Sequence, residues 1–317
     1  MAGSQLNRII GRCVLRVIIS IDSFVLFSQT VFRHHEHMRV AIAGKGGAGK
    51  TTFAAATARL LARGGAEVVA IDADTNPNLA AAMGFDLDQV ARVPILPTTI
   101  VSRRLDGSAA LRVPLDNVLH AHATIGPDGV RLIRMGMPDH AQEGCLCSAH
   151  AAGSALLADL GTRPQTWTIM DLEASPEHLS RGTARHADAL IFVAEPYFRS
   201  LEAVRLQARL AAELPGVLIG AIANKLRTPG DAEAVSEFVG GLGIPLWGSV
   251  PWSDDVTLAD RAQLSLLDAA PTSAAVAAIQ AIVNVLIALA GSSALSGLTT
   301  VPSGPGVAEL GGQQPCA

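Results

Sequence analysis

Gly44-Lys45-Gly46-Gly47-Ala48-Gly49-Lys50-Thr51-Thr52 combines small residues with two lysines and two hydroxyls. Gly44, Gly49, Lys50 and Thr51 satisfy the spacing GxxxxGK[ST]. In such a loop, consecutive backbone N–H groups curl around phosphates, the lysine after the last glycine reaches the outer phosphates, and the following hydroxyl holds Mg²⁺. The implied ligand is a nucleoside triphosphate. Lys45 adds a second cation near the start of the loop, which the bare motif does not require.

Carboxylates at two further points could serve the same chemistry. Asp72-Ala73-Asp74 follows the apolar run Glu67 to Ile71, and Asp171 follows Thr166 to Met170. Phosphoryl transfer needs mainly positioning and charge compensation. Of Asp72 and Asp74, one would organise the Mg²⁺ shell or the loop and the other would orient the attacking water. A turn-capping role is the alternative for either. Asp171 ends its run in the manner of a Walker B carboxylate, which binds Mg²⁺ directly or through water. Leu172-Glu173-Ala174-Ser175 then has the position of a γ-phosphate-sensing switch. Guanine-specific P-loop proteins carry NKxD, whose Asp accepts from the guanine ring. Asn224-Lys225-Leu226-Arg227 has Arg in that place, which argues for ATP.

Cys145-Leu146-Cys147 is the other unusual spacing. In an extended segment, side chains two apart face the same side. A twofold dimer would gather four thiolates, suited to tetrahedral Zn²⁺, another soft-ligand transition metal or an Fe–S cluster. The spacing alone is a weak signal and favours ordinary buried cysteines over metal ligation. Gly144 and its polar neighbours predict a loop, in which His150 reads as a solvated loop histidine, with assistance to metal binding as the alternative.

The elements that must position these groups are legible as periodicity. Arg39 to Ala43, Glu67 to Asp72, Thr166 to Asp171, Ala189 to Ala194, Leu218 to Asn224 and Leu246 to Pro251 read as strands. Helical patterns cover Thr51 to Arg63, Ser200 to Leu214, Asp231 to Leu242 and Ser273 to Leu289. This alternation predicts an α/β P-loop NTPase fold: a doubly wound, mainly parallel sheet with helices on both faces and ligands beyond the strands' carboxyl ends. The chain has 317 residues, 49% of them apolar, with a net charge of -4. That is ample for a core and carries no basic excess for nucleic acid. Cysteines at 13, 145, 147 and 316 do not form a disulfide framework. A reducing, ATP-containing cytoplasm is the expected setting.

Residues 38–290 are expected to form the ATPase domain. Residues 1–37 read as an extension upstream of Met38, or as a peripheral membrane or partner-binding segment. Their apolar stretch is interrupted by Arg16 and Asp22, which argues against a membrane span. Residues 291–317, rich in Gly, Ser and Pro, read as a disordered tail.

Taken together, these residues resemble the deviant Walker A ATPases, the class containing the nitrogenase iron protein, the arsenite-pump ATPases and the Min and Par positioning ATPases. Lys45 carries the resemblance. Within the class the chain looks most similar to CooC-type ATPases, which help insert nickel into carbon monoxide dehydrogenase. The similar stretches are the loop at 44–52, Asp72 to Asn76, Gly144 to Cys147, Asp171 to Ala184, Glu195 to Ala203, Asn224-Lys225 and Val250-Pro251.

The resemblance implies an ATPase that forms a homodimer on binding ATP, with Lys45 reaching the partner's nucleotide. It implies phosphate binding by residues 44–52, Mg²⁺ at Thr51 and Asp171, and water activation by Asp74. It further implies nucleotide contacts from Asp72, Asn224, Lys225 and Pro251, and Ni²⁺ or Zn²⁺ on Cys145 and Cys147. The client would be a metalloenzyme such as carbon monoxide dehydrogenase. An Fe–S electron-transfer ATPase similar to the nitrogenase iron protein, or a Par/Min-like switch, is the alternative. Thr75 and Ser175 depart from the Pro and Gly usual at their places, and Ser at 175 bears on how freely the second switch moves.

Overall fold

The apolar runs at 39–43, 67–72, 166–171, 189–194, 218–224 and 246–251 all become strands, each buried on at least part of its length, in a computed structural model describing residues 37–103, 109–135, 147–163 and 165–292. In chain order the strands are β1 (Arg39–Gly44), β2 (Glu67–Ala73), β3 (Ile95–Leu96), β4 (Val101–Arg103), β5 (Ala109–Leu111) and β6 (Thr124–Ile125). They continue as β7 (Arg131–Met135), β8 (Thr166–Leu172), β9 (Ala189–Ala194), β10 (Leu218–Leu226) and β11 (Leu246–Pro251). The main sheet has the order β11-β10-β9-β1-β8-β2-β7-β3, and β6 pairs with β7. Every pairing along that path is parallel, and β6 alone is antiparallel within this sheet. β4 and β5 form a separate antiparallel pair.

The order places the phosphate-binding loop. β1 lies between β8 and β9: the chain runs outward through β2 to β3 at one edge, returns through β7 and β8, then crosses to the other side at β9. Such a reversal opens a crevice at the carboxyl ends of the central strands. The loop leaves β1 at that point.

Alternation along the strands divides the core. Ala41, Ala43, Val69, Ile71, Met170 and Phe192 join one apolar cluster with Leu156 and Leu157, Val204, and Val235 from three helices. Those helices are Cys147–Leu160, Phe198–Ala211 and Pro229–Gly241. The intervening residues Val40, Ile42, Val68 and Ala70 are also buried, and the helix Lys50–Arg63 packs on this second face. Both faces are therefore covered, as a parallel sheet requires. Trp167 and Phe192 are among the largest fully buried side chains, and burying each stabilises the fold by roughly 1.5–3 kcal/mol.

The helix Ala274–Gly291 is long and apolar enough to cross a membrane. Here it is a core helix: Val276, Ile279, Ile282, Val283 and Leu286 are buried, and it packs on β11 and on the helix Lys50–Arg63. Gly291 closes this helix, one residue beyond the predicted domain end. Residues 1–36 and 293–317, which hold the predicted extension and most of the predicted tail, lie outside the described residues.

The helix behind the phosphate loop is pinned from its far side. Arg59 is buried and donates to Asp128 at 2.6 Å, Asp268 at 2.6 Å, Ser265 Oγ at 2.6 Å and the Met83 carbonyl at 3.0 Å. A guanidinium out of water needs this many acceptors to offset its desolvation. The fixed helix in turn fixes the loop at its N-terminus.

Candidate nucleotide-binding site

The loop's backbone demands glycine. Gly44 has φ +139° and Gly49 φ +97°, in the left-handed range that side chains rarely adopt. A Cβ on Gly44 would meet the Val193 carbonyl oxygen at 2.5 Å, and one on Gly49 would strike the Asn224 amide. Gly49 also caps the helix Lys50–Arg63 without a side-chain bond, and no acidic residue occupies the first turn. That helix end therefore presents free N–H groups and the positive end of its dipole to an anion.

Lys50 is buried, and its Nζ reaches back to the Lys45 carbonyl at 3.4 Å. Burial pulls its pKa below the ordinary lysine value, while Asp171, Asp74 and Glu173 oppose that shift. Thr51 and Thr52 follow on the first turn, both half-buried. Lys45 is half-exposed, with Nζ 3.3 Å from the Gly46 carbonyl and 5.7 Å from the centre of the Tyr197 ring.

Asp72 and Asp171 are register partners on β2 and β8 and are both buried. Their fates differ. Asp72 accepts from Leu79 N–H at 2.9 Å and Asp74 N–H at 3.3 Å, which binds the following turn and the start of the helix Leu79–Met83. Burial raises its carboxyl to about 6 despite those bonds. Asp171 is fully buried and neither oxygen has a donor within hydrogen-bond geometry, although Thr51 lies close enough to temper its charge. Burial first, and Asp72 beside it, push Asp171 up to about 7. An unpaired buried carboxylate beside a hydroxyl and an ammonium is the donor set expected of a Mg²⁺-phosphate site, so Thr51 and Asp171 fit such an ion. Asp74 is half-exposed at the rim, accepting from Asn76 N–H at 2.8 Å.

A second group of side chains approaches the loop from β10. The β10–β11 register shifts between Ala223 and Leu226, and Lys225 within that irregularity has φ +60°. A bulge of this kind re-aims side chains. Asn224 consequently donates to the Ala48 carbonyl at 2.7 Å, and Lys225 Nζ contacts the Gly47 carbonyl. Lys225 also lies 3.1 Å from Glu195, whose other oxygen accepts from the Tyr197 hydroxyl at 2.8 Å. Beyond them, Arg227 stacks 3.8 Å over the Trp252 ring, directly after Pro251 at the end of β11.

The CobQ/CobB/MinD/ParA nucleotide binding domain family matches residues 40–266. The chain belongs to this family. The carbon monoxide dehydrogenase accessory protein CooC of Rhodospirillum rubrum is 35% identical over 242 residues, covering 74% of this chain and 91% of that protein. An uncharacterized ATP-binding protein of Methanocaldococcus jannaschii is 31% identical over 232 residues, 69% of this chain and 87% of its own length. Among solved structures, the septum site-determining protein MinD complexed with Mg-ADP from Pyrococcus horikoshii OT3 superimposes with a TM-score of 0.61 at 18% identity. It is matched over 80% of this chain and 98% of its own. A ParA family ATPase from Chlorobium tepidum TLS gives 0.57 at 18% identity, over 78% and 98%. These likenesses show the MinD/ParA P-loop fold.

Within this family fold, most of the predicted site converges: residues 44–52, Asp72, Asp74 and Asp171 border the crevice at the ends of β1, β2 and β8, and Asn224 and Lys225 meet the loop from β10. Pro251 ends β11, away from the phosphates but beside the Arg227–Trp252 pair. Cys145 lies outside the described residues. Cys147 is the first residue of the helix Cys147–Leu160, and the rest of the CxC, expected to be extended, lies outside the described residues. His150 is not a solvated loop histidine. It sits on that helix, buried, because Cys147 to Leu160 is rich in Ala and Leu and turns its apolar stripe into the core. Glu195, Tyr197, Arg227 and Trp252 were not predicted as site residues. Glu195-Pro196-Tyr197 directly after an apolar strand was the available signal for the first two. Nothing local marks the Arg227–Trp252 stack, which joins two strand ends.

Proposed function

We propose that this chain is a Mg²⁺-dependent ATPase that closes into a homodimer on ATP and couples hydrolysis to metal handling, with nickel as the cargo, during maturation of a metalloenzyme such as carbon monoxide dehydrogenase. The observation that carries the ATPase reading is Asp171, a buried carboxylate without a donor, beside Thr51 and Lys50 at the mouth of a phosphate loop. Loop N–H groups from residues 44–52 and the Lys50 ammonium bind the β- and γ-phosphates. Thr51 and Asp171 would hold Mg²⁺, which would offset phosphate charge. Asp74, at the rim, orients the attacking water, and Asp72 holds the backbone that carries Asp74. Lys45 leaves Tyr197 and crosses to the nucleotide of the second copy, stabilising the charge that develops on the transferred phosphoryl group. Asn224 and Lys225 tie the loop to the base side, with Pro251 bordering the base.

The metal reading is supported by Cys145 and Cys147 and by the likeness to CooC, named as an accessory protein of carbon monoxide dehydrogenase. Two copies would supply four thiolates, a set suited to a soft divalent ion. Free thiols and a need for ATP support a cytoplasmic setting.

Equilibrium dialysis with Ni²⁺ or Zn²⁺, with and without a non-hydrolysable ATP analogue, tests this together with ATP turnover. One metal per two chains is expected, lost in Cys145→Ser and Cys147→Ser. Unchanged binding in both variants overturns the metal role, and absence of ATP turnover overturns the enzyme. A brown protein with thiolate–iron absorption after anaerobic preparation would instead support the Fe–S alternative.

A further inference from the structure

Shortly after Asp171, Ala174 lies against the phosphate loop: a Cβ on Gly46 would sit 3.6 Å from the Ala174 methyl. The chain then turns at Pro176 into the short helix Glu177–Ser180, which carries His178 into the core. His150, also buried, meets it there with ring centroids 4.5 Å apart and planes at 81°. His150 is one helical turn beyond Cys147, and its Nδ1 is 2.9 Å from Thr183 Oγ1 on the segment following His178. One turn further, Gly153 brings the same helix close to that segment: a Cβ there would meet Met135 Sδ at 2.9 Å and Thr183 Cγ2 at 3.2 Å. The start of the Cys147–Leu160 helix is thus keyed to residues 178–183 through one ring contact, one hydrogen bond and one close approach.

The key is incompletely satisfied. Both ring nitrogens of His178 and Nε2 of His150 are buried without a hydrogen-bond partner. Glu173 Oε2 lies 3.7 Å from His178 Nε2, just beyond bonding range. Burial, with His150 beside it, holds His178 neutral down to about pH 3. A neutral imidazole retains one N–H, for which Glu173 is the nearest carboxylate. Unpaired buried donors are unfavourable, so a small shift of residues 173–175 that brings Glu173 onto His178 would satisfy that donor.

We propose that the His178–His150 pair is the link by which nucleotide at the phosphate loop, sensed by residues 171–175, repositions the first turns of the helix beginning at Cys147. A γ-phosphate between Gly46 and Ala174 displaces the 173–175 segment; Glu173 engages His178; and the edge of the His178 ring moves His150 with its helix. The link needs no proton transfer, because two packed rings in a close-packed interior move together. Its purpose rests on Cys145 and Cys147 being the cargo site, but its existence does not.

Hydrogen–deuterium exchange of amides 148–156 in the full chain, with and without Mg²⁺ and a non-hydrolysable ATP analogue, tests the link. In the wild type, nucleotide is expected to change exchange there by about tenfold, the order that one newly satisfied buried hydrogen bond supports. His178→Leu and His150→Leu are expected to bind the analogue within about twofold of wild type while losing that response. Glu173→Ala, which leaves the core packing intact, is expected to lose most of it and decides the matter if the leucine variants do not fold. His150→Gln, which can still bond Thr183, is expected to retain part of it. A full response in Glu173→Ala and in the leucine variants, or none in the wild type, overturns the proposal. Metal dialysis on the same samples separates the two readings. A wild-type response without metal binding leaves the link standing and removes the cargo, whereas metal binding without a response does the reverse.

Discussion

The two ends of the nucleotide site are built on opposite electrostatic plans. At the phosphate end, Lys50 and Asp171 are both buried, the lysine held below its ordinary pKa and the carboxyl raised to about 7. At the proposed base end, Lys225, Glu195 and Tyr197 satisfy one another, and Arg227 covers Trp252. A triphosphate with its cation completes the first end, which is poorly compensated without them. The second end is already compensated and has only to exchange contacts. Ligand free energy is therefore expected to concentrate where the protein's own groups satisfy one another least.

The largest test of this difference is Lys45→Ala. If Lys45 acts across a dimer as an arginine finger does, turnover falls by about 10³-fold, whereas ATP affinity stays within a few fold, read by single-turnover hydrolysis and analogue titration. Asp171→Asn comes next, with hydrolysis expected to fall by about 10²-fold. The same variant reports the pH linkage. Because the folded state holds the Asp171 proton more tightly than an unfolded chain, its contribution to stability is intact below pH 3.8 and is lost as pH rises through about 7. In EDTA, the difference in unfolding free energy between pH 5 and pH 8 should shrink in the variant by roughly 2 kcal/mol, and urea melts at the two pH values measure it. An unchanged difference would mean that another group carries the strain.

Substitutions at the base end should do less. Asn224→Ala frees the Ala48 carbonyl and loosens the loop, weakening ATP about tenfold with little change in single-turnover rate at saturation. Trp252→Ala removes only a half-exposed stack, and a weakening of about fivefold or less is expected by calorimetry. A Trp252 effect exceeding that of Asp171 would reverse the comparison.

The site's two ends were also unequally legible. The phosphate loop was readable because its chemistry is contiguous: nine residues carry the amides, the ammonium and the hydroxyl, and the strand and helix on either side are strongly periodic. Asp72 and Asp171 were readable as strand-end carboxylates, but not their different fates. Asp72 finds two backbone donors because the chain turns back over it, whereas neither oxygen of Asp171 has a donor within hydrogen-bond geometry. The contacts of Asn224 and Lys225 required a bulge with a lysine at positive φ, which no local preference announces. The short strands β3 to β7 escaped prediction because runs of two to five residues carry too little periodicity.

The sequence by itself determined the phosphate loop, the α/β alternation and the presence of a second lysine, because each is a local arrangement of residue types whose chemistry does not depend on distant partners. Only the tertiary structure decided which carboxylate is left unpaired, how β10 reaches the loop, and that His150 and His178, 28 residues apart in sequence, share one buried contact. Those outcomes depend on which strands become neighbours and on the register between them. Sheet order is set by the packing of both faces at once, so no single segment encodes it.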